Sequence, residues 1–211
     1  MLKTENFQTY GWESAIRGMR NPMNSWKKSD SIFNAGFGSD SFICGENDLD
    51  LMKRLRKGGP DDRKYLRQIF VSVDITAPLY WWKEMDQYKV GTVTNSCSTM
   101  HKITSKEFKI EDFSCEHLDG YYQDVMFAIL DVLNLARNKY LKAKDKAYWW
   151  QIIQLLPSSY NQKRTWTANY EVLCNIYHAR KNHKLDEWHT FCDAIANLPY
   201  AKELIIGGEQ E

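Results

Sequence analysis

The chain has 211 residues, enough to bury one sizeable core, and its 28 Lys and Arg against 27 Asp and Glu leave it almost neutral. That balance gives no basic footprint for duplex nucleic acid, so no such partner is expected. No apolar run approaches the about 18 residues a membrane helix needs, and Met1-Leu2-Lys3-Thr4-Glu5-Asn6 lacks the apolar stretch of a signal peptide, which leaves no membrane partner expected.

Residues 1 to about 47 are rich in Asn, Ser, Gly and Met and carry one helix candidate, Trp12 to Arg20. Asp48 is placed to cap a helix through Leu49, Leu51, Met52 and Leu55 that closes at Gly58-Gly59. Pro60 opens a short helix in which Tyr65, Leu66 and Ile69 share a face. Phe70 to Thr76 alternates apolar and polar residues, the pattern of a half-buried strand. Pro78 then begins a helix with Leu79, Tyr80, Trp81, Trp82 and Met85, and Val90 to Asn95 is β-rich. Leu118 to Lys142 reads as a long helix with a broad stripe of Val125, Met126, Ile129, Leu130, Val132, Leu133, Leu135 and Ala136. Asp145 can cap the next helix, which ends at Leu156-Pro157, and two more helices follow near Tyr170 to Lys181 and Leu185 to Leu198. The result is an α+β domain with little strand. Eight Trp and twelve Tyr point to a large aromatic core or an oligomer interface, with Trp81-Trp82 and Trp149-Trp150 as interface candidates.

The polar residues that stand out cluster late in the chain. Asn169 sits at a helix entrance and Arg180 lies eleven residues on, about three turns away. One reading makes them an N-terminal cap and a cation favoured by the helix dipole. The other makes them hydrogen-bonding groups for a planar heterocycle, because amides both donate and accept and a guanidinium donates in a fork. His178, His183, His189 and Cys192 are close in sequence but lack a zinc-binding spacing, so no metal is assigned. The cysteines Cys44, Cys97, Cys115, Cys174 and Cys192 are odd in number and include no CxxC pair, which fits a reducing, cytoplasmic setting. Cys97 is either an inert thiol or a nucleophile activated by His101 or Lys89. Gly36-Phe37-Gly38-Ser39 is too short for a phosphate loop.

Leu156-Pro157, Trp166-Thr167-Ala168-Asn169, Asn175 and Arg180 together resemble the C-terminal signature of flavin-dependent thymidylate synthases, the ThyX family. Asp186-Glu187-Trp188 and Ala194-Ile195 resemble the helix that follows it, and Ala77-Pro78 with its aromatic helix resembles an earlier block. The resemblance covers about residues 48–198, within a single domain spanning 1–211 whose residues 1–47 diverge. It implies a ThyX-like α+β fold, a small mainly antiparallel sheet flanked by helices with a long helical second half, assembled as a homotetramer. The implied cofactor is FAD, with methylenetetrahydrofolate and NADPH as co-substrates and a pyrimidine nucleotide such as dUMP as the molecule methylated at C5. Carried over residue by residue, Asn169, Asn175, Lys89 and Asn95 would contact the cofactor. Arg180 would bind and polarise the uracil, and Glu84, Gln87 and Ser98 would join it around the substrate.

The chain also departs from that pattern. Gln87-Tyr88-Lys89 stands where the family has Arg-His-Arg, and Ser96 and Met100-His101 replace a glutamate and an Arg-Tyr pair. Ile153 and Glu171 occupy positions the family fills with basic residues. Asp62, Lys64 and Arg67 replace its His-x-Thr-x-x-Glu pattern. Gln and Met cannot make the bidentate, charged contacts of an arginine. Two functions therefore follow: a divergent enzyme of the thymidylate synthase type, or a non-catalytic nucleotide-binding or assembly protein that keeps the fold and has lost FAD-dependent activity. Glu84, Lys89, Arg164 and Glu171 are the charged residues from which an altered pocket could be built.

Overall fold

The computed structural model describes residues 1–34 and 41–207, so the Gly36-Phe37-Gly38-Ser39 stretch lies outside the described residues. In chain order the elements are β1 (Lys3–Tyr10), α1 (Trp12–Arg20), β2 (Ile32–Asn34), β3 (Ser41–Ile43), α2 (Glu46–Lys57), β4 (Phe70–Pro78), α3 (Leu79–Met85), β5 (Val93–Ser96), α4 (Thr99–Lys102), α5 (Gly120–Ala143), α6 (Lys146–Leu155), β6 (Asn161–Asn169), α7 (Tyr170–Arg180) and α8 (Asp186–Ala196). Four strands make a small antiparallel sheet in the order β1-β4-β6-β5, and β2 pairs antiparallel with β3. This is the α+β class that the pattern of elements implied.

Contacts divide the chain into two compact units. One comprises Met1–Lys3, Ile75–Gln87 and Asn95–Thr165, the other Thr4–Asp74, Tyr88–Thr94 and Trp166–Glu211.

In the first unit α5 and α6 form a packed helical pair. Lys144, in a left-handed conformation with φ +58°, ends α5, and Asp145 starts α6 by accepting a hydrogen bond from the Ala147 amide at 2.9 Å. Met126, Leu130 and Leu133 follow a four-three spacing along one strip of α5 and meet Ile103, Phe108, Phe113 and Ile152 in the core. The stripe is narrower than the sequence suggested: Val125, Val132 and Leu135 are 39%, 49% and 55% exposed. The physical reason is geometric, since one neighbouring helix covers one strip of a helix and leaves the flanks open. Trp81 and Trp82, expected as interface residues, are instead buried in their own chain, and Trp82 Nε1 donates to the Gln162 carbonyl at 2.9 Å.

In the second unit α7 is the central element. It packs against α8, against the 3-10 turn Arg63–Gln68 and against the π-helical turn Lys202–Ile206. Tyr170, Leu173, Cys174 and Ile176 are its buried side, facing a core that includes Trp188, Phe191, Ile195, Leu204 and Ile205. Asp48 was expected to cap α2, but the helix begins at Glu46 after Gly45 and Asp48 is fully buried. Its carboxylate takes a hydrogen bond from Arg20 Nε at 2.6 Å and from the hydroxyls of Ser29 and Ser31, each at 2.7 Å. Burial opposes its ionisation, yet the bonds from Ser31, Ser29 and Arg20 outweigh burial and hold the carboxyl below its ordinary range. The strand β1 was not anticipated. It closes one end of the sheet order and is mostly polar, so it shows no apolar alternation to read.

Candidate functional site

The candidate site grows from the two ends of α7. At its start Asn169 is extended, with φ −123° and ψ 168°, and its Oδ1 accepts the Val172 amide at 3.0 Å. That is an N-terminal cap, and it leaves the side-chain NH2 for another acceptor. Gly91 approaches this end closely: a Cβ there would lie 3.2 Å from Asn169 Nδ2 and 3.3 Å from Val172 Cγ2, and its φ of +72° favours glycine. Glu171, in the first turn, is buried. Its Oε1 takes hydrogen bonds from Arg63 Nε at 3.1 Å and Nη2 at 2.9 Å, while its buried Oε2 has no hydrogen-bond partner. A carboxylate is favoured there by the helix dipole, but it makes the helix start acidic rather than anion-binding.

At the far end Arg180 is held by aromatic rings. Its Nε donates to the Tyr88 hydroxyl at 2.8 Å, and its guanidinium carbon lies 4.7 Å from the Trp188 ring centroid and 5.5 Å from that of Tyr88. Trp188 is fully buried and meets Tyr88 edge-on, with centroids 6.1 Å apart. His183 packs edge-on against the same indole at 6.2 Å, and its Nδ1 accepts the Leu185 amide at 3.2 Å. The Tyr88 backbone carbonyl in turn accepts from Thr92 Oγ1, which ties down the loop that presents the ring. Arg180 is thus more than a dipole-favoured cation, because Tyr88 and Trp188, from two other segments of the second unit, hold its guanidinium.

The other candidates of this unit are less engaged. Lys89 and Asn175 are exposed. Asp62 and Lys64 line a cleft of about 520 Å³ whose wall includes Met19, Leu51 and Tyr65. His178 approaches the Ile205 carbonyl at 3.2 Å, and burial pushes the Cys192 thiol up to about 11, so neither is arranged as a ligand.

The remaining candidates belong to the first unit. Glu84 is half-buried on α3, and Gln87 is exposed with its Nε2 3.4 Å from the Lys83 carbonyl. Asn95 is exposed on β5, and the Ser98 hydroxyl caps α4 by accepting the His101 amide at 3.1 Å. Cys97 is exposed and its amide pairs with the Lys163 carbonyl at 2.9 Å. Arg164 is committed to structure: it donates to Asp86 at 2.8 Å and to Gln162 at 2.9 Å and stacks on Trp82 at 4.2 Å.

Sequence reasoning missed the part played by Tyr88, which appeared only as the loss of a histidine, and the pairing of Arg63 with Glu171. Residues 92 and 108 positions apart carry no periodic signal. Trp188 was visible as part of a motif, but its stacking on Arg180 depends on the turn between α7 and α8.

No protein-family model matches the chain, and no curated protein matches it. Solved structures do. Flavin-dependent thymidylate synthase ThyX from Helicobacter pylori, complexed with FAD and dUMP, superposes with a TM-score of 0.69 at 16% identity, covering 97% of each chain. A second structure of that enzyme with FAD and dUMP gives 0.67 at 16% identity, over 97% of this chain and 96% of the other. The UMP/dUMP methylase PolB from Streptomyces cacaoi, bound with 5-Br dUMP, gives 0.56 at 11% identity, over 92% and 88%. The chain has the ThyX fold.

Proposed function

We propose that this chain is a divergent flavin-dependent thymidylate synthase-like protein acting on a pyrimidine nucleotide, by C5 methylation of dUMP or a related one-carbon or redox reaction. The observation that carries the reading is Arg180, fixed by the Tyr88 hydroxyl and the Trp188 ring at the end of α7. A guanidinium with a defined plane suits the carbonyl edge of a planar base, and there it would bind and polarise the ring. The same fold in ThyX bound to FAD and dUMP supports the choice of ligand class.

For a flavin, the neutral amides fit the ring. The unspent NH2 of Asn169 and the exposed amide of Asn175 suit the alternating carbonyl and imide edge of an isoalloxazine, and Lys89 offers an exposed cation. When bound, the flavin supplies the redox chemistry. The protein's own part is to orient the base with Arg180, to hold the ring edge with Asn169 and to place Lys89 near an anionic group. By the same reading the assembly is a homotetramer, a view supported by the exposed apolar side chains of α5.

A second reading has a specific observation of its own. Glu171 puts a buried carboxylate, with one oxygen unpartnered, at the helix start where an anion-binding site would be expected. That favours a nucleotide-binding or assembly protein which no longer takes a diphosphate-bearing cofactor. The absorbance spectrum before and after adding FAD and removing the excess by gel filtration separates the two. Flavin bands at about one per subunit support the enzyme. A colourless protein that binds dUMP in calorimetry supports the nucleotide-binding form of the second reading, and one that binds neither overturns the enzyme and leaves the second reading only as an assembly protein.

A further inference from the structure

We infer that Tyr88 is a ligand-contacting specificity residue, whose phenol donates a hydrogen bond to a carbonyl oxygen of the base that Arg180 engages. The inference rests on the nucleotide reading above and extends it to a residue that stands where the Arg-His-Arg pattern has its histidine.

The argument starts with proton accounting at the phenol. Its oxygen accepts Nε–H from Arg180 at 2.8 Å, which occupies one lone pair. A phenol carries one proton of its own, and among the described residues no acceptor takes it. That proton stays near the ring plane, turned away from the incoming Nε–H. Tyr88 is half-buried, so part of the residue stays open to solvent. Packing fixes its direction: the ring meets the buried Trp188 edge-on at 6.1 Å, and the Thr92 hydroxyl holds its backbone carbonyl. Phenol and guanidinium therefore act as one unit, in which the arginine orients the hydroxyl and the hydroxyl presents a neutral donor beside a cation. Such a pair recognises a planar, carbonyl-bearing heterocycle of the uracil type. A bare phosphate would be served by the cation alone and has no need of the oriented phenol.

The test is calorimetric titration of the full chain and its Tyr88→Phe variant with two probes, dUMP and 2-deoxyribose 5-phosphate, which lacks the base. Phe keeps the ring and its packing on Trp188 and removes only the hydroxyl. The expected result is an affinity for dUMP about tenfold weaker, no change for the base-free sugar phosphate, and an unfolding midpoint within about 2 °C of the parent. Equal losses for both probes would mean that the hydroxyl only supports the local structure, and would overturn the inference. Unchanged dUMP affinity would overturn it too, while leaving the nucleotide reading intact. A parent protein that binds neither probe would remove the nucleotide reading itself, and this inference with it. A Tyr88→His variant serves as the second substitution: an imidazole with a donor and an acceptor should recover part of the dUMP affinity lost in Tyr88→Phe. Failure of this recovery alongside a lowered unfolding midpoint in both variants would assign Tyr88 to structure.

Discussion

The helices α5 and α7 make opposite use of apolar sequence. Over its 11 residues α7 buries Tyr170, Glu171, Leu173, Cys174 and Ile176 among α8 and two short turns, and it carries polar groups of defined geometry at both ends. Over its 24 residues α5 buries only Met126, Leu130, Leu133 and Ala136, and it leaves Tyr121, Tyr122, Phe127 and Leu135 from 46% to 75% exposed. One helix is satisfied within its own chain and can hold side chains to a fixed plane. The other retains apolar surface whose removal from water is worth about 25 cal/mol per Å². The lesson is that the length of an apolar stripe measures what a helix could bury, and its neighbours decide what it does bury.

Substitutions can sharpen that contrast. The largest effect is expected at Trp188→Ala: loss of a fully buried indole should cost about 3–5 kcal/mol, measured by denaturant unfolding, and should also release Arg180. A change below about 1 kcal/mol would show that α7 is not the centre of its unit. Asp48→Asn should cost nearly as much, about 3–5 kcal/mol, because Arg20 would stay buried without its counter-charge. The pH dependence has a definite sign. The Asp48 carboxyl is depressed in the folded chain, so its contribution is fully present above the unfolded carboxylate range near pH 4. It is lost as pH falls through the lower folded value. The acid limb of the unfolding curve should therefore flatten in Asp48→Asn. Removing the cap with Asn169→Ala should cost about 1 kcal/mol. The smallest effect on the single chain is expected for Leu135→Lys, within about 0.5 kcal/mol, while sedimentation should show a shift toward smaller species. An unchanged assembly in that variant would mean that the open side of α5 is not where copies meet.

Much of the architecture followed from local rules. Pro78 before a helix, Asp145 and Asn169 as caps, Gly58 closing α2 and the alternation of Val71 and Val73 on β4 are choices made by neighbouring residues, and a sequence displays them. So are the two ends of α7, whose spacing was the strongest hint of a base-binding protein. What the sequence could not display was pairing between distant residues. Asp48 looked like a cap because its chain neighbours suited one, yet Arg20, Ser29 and Ser31 converge on it and make it a buried counter-ion. Tyr88 looked like a lost histidine until folding set its hydroxyl against Arg180. Burial and partnership depend on which surfaces meet. Local propensity fixes the elements, while only the tertiary structure decides which of their side chains share one environment.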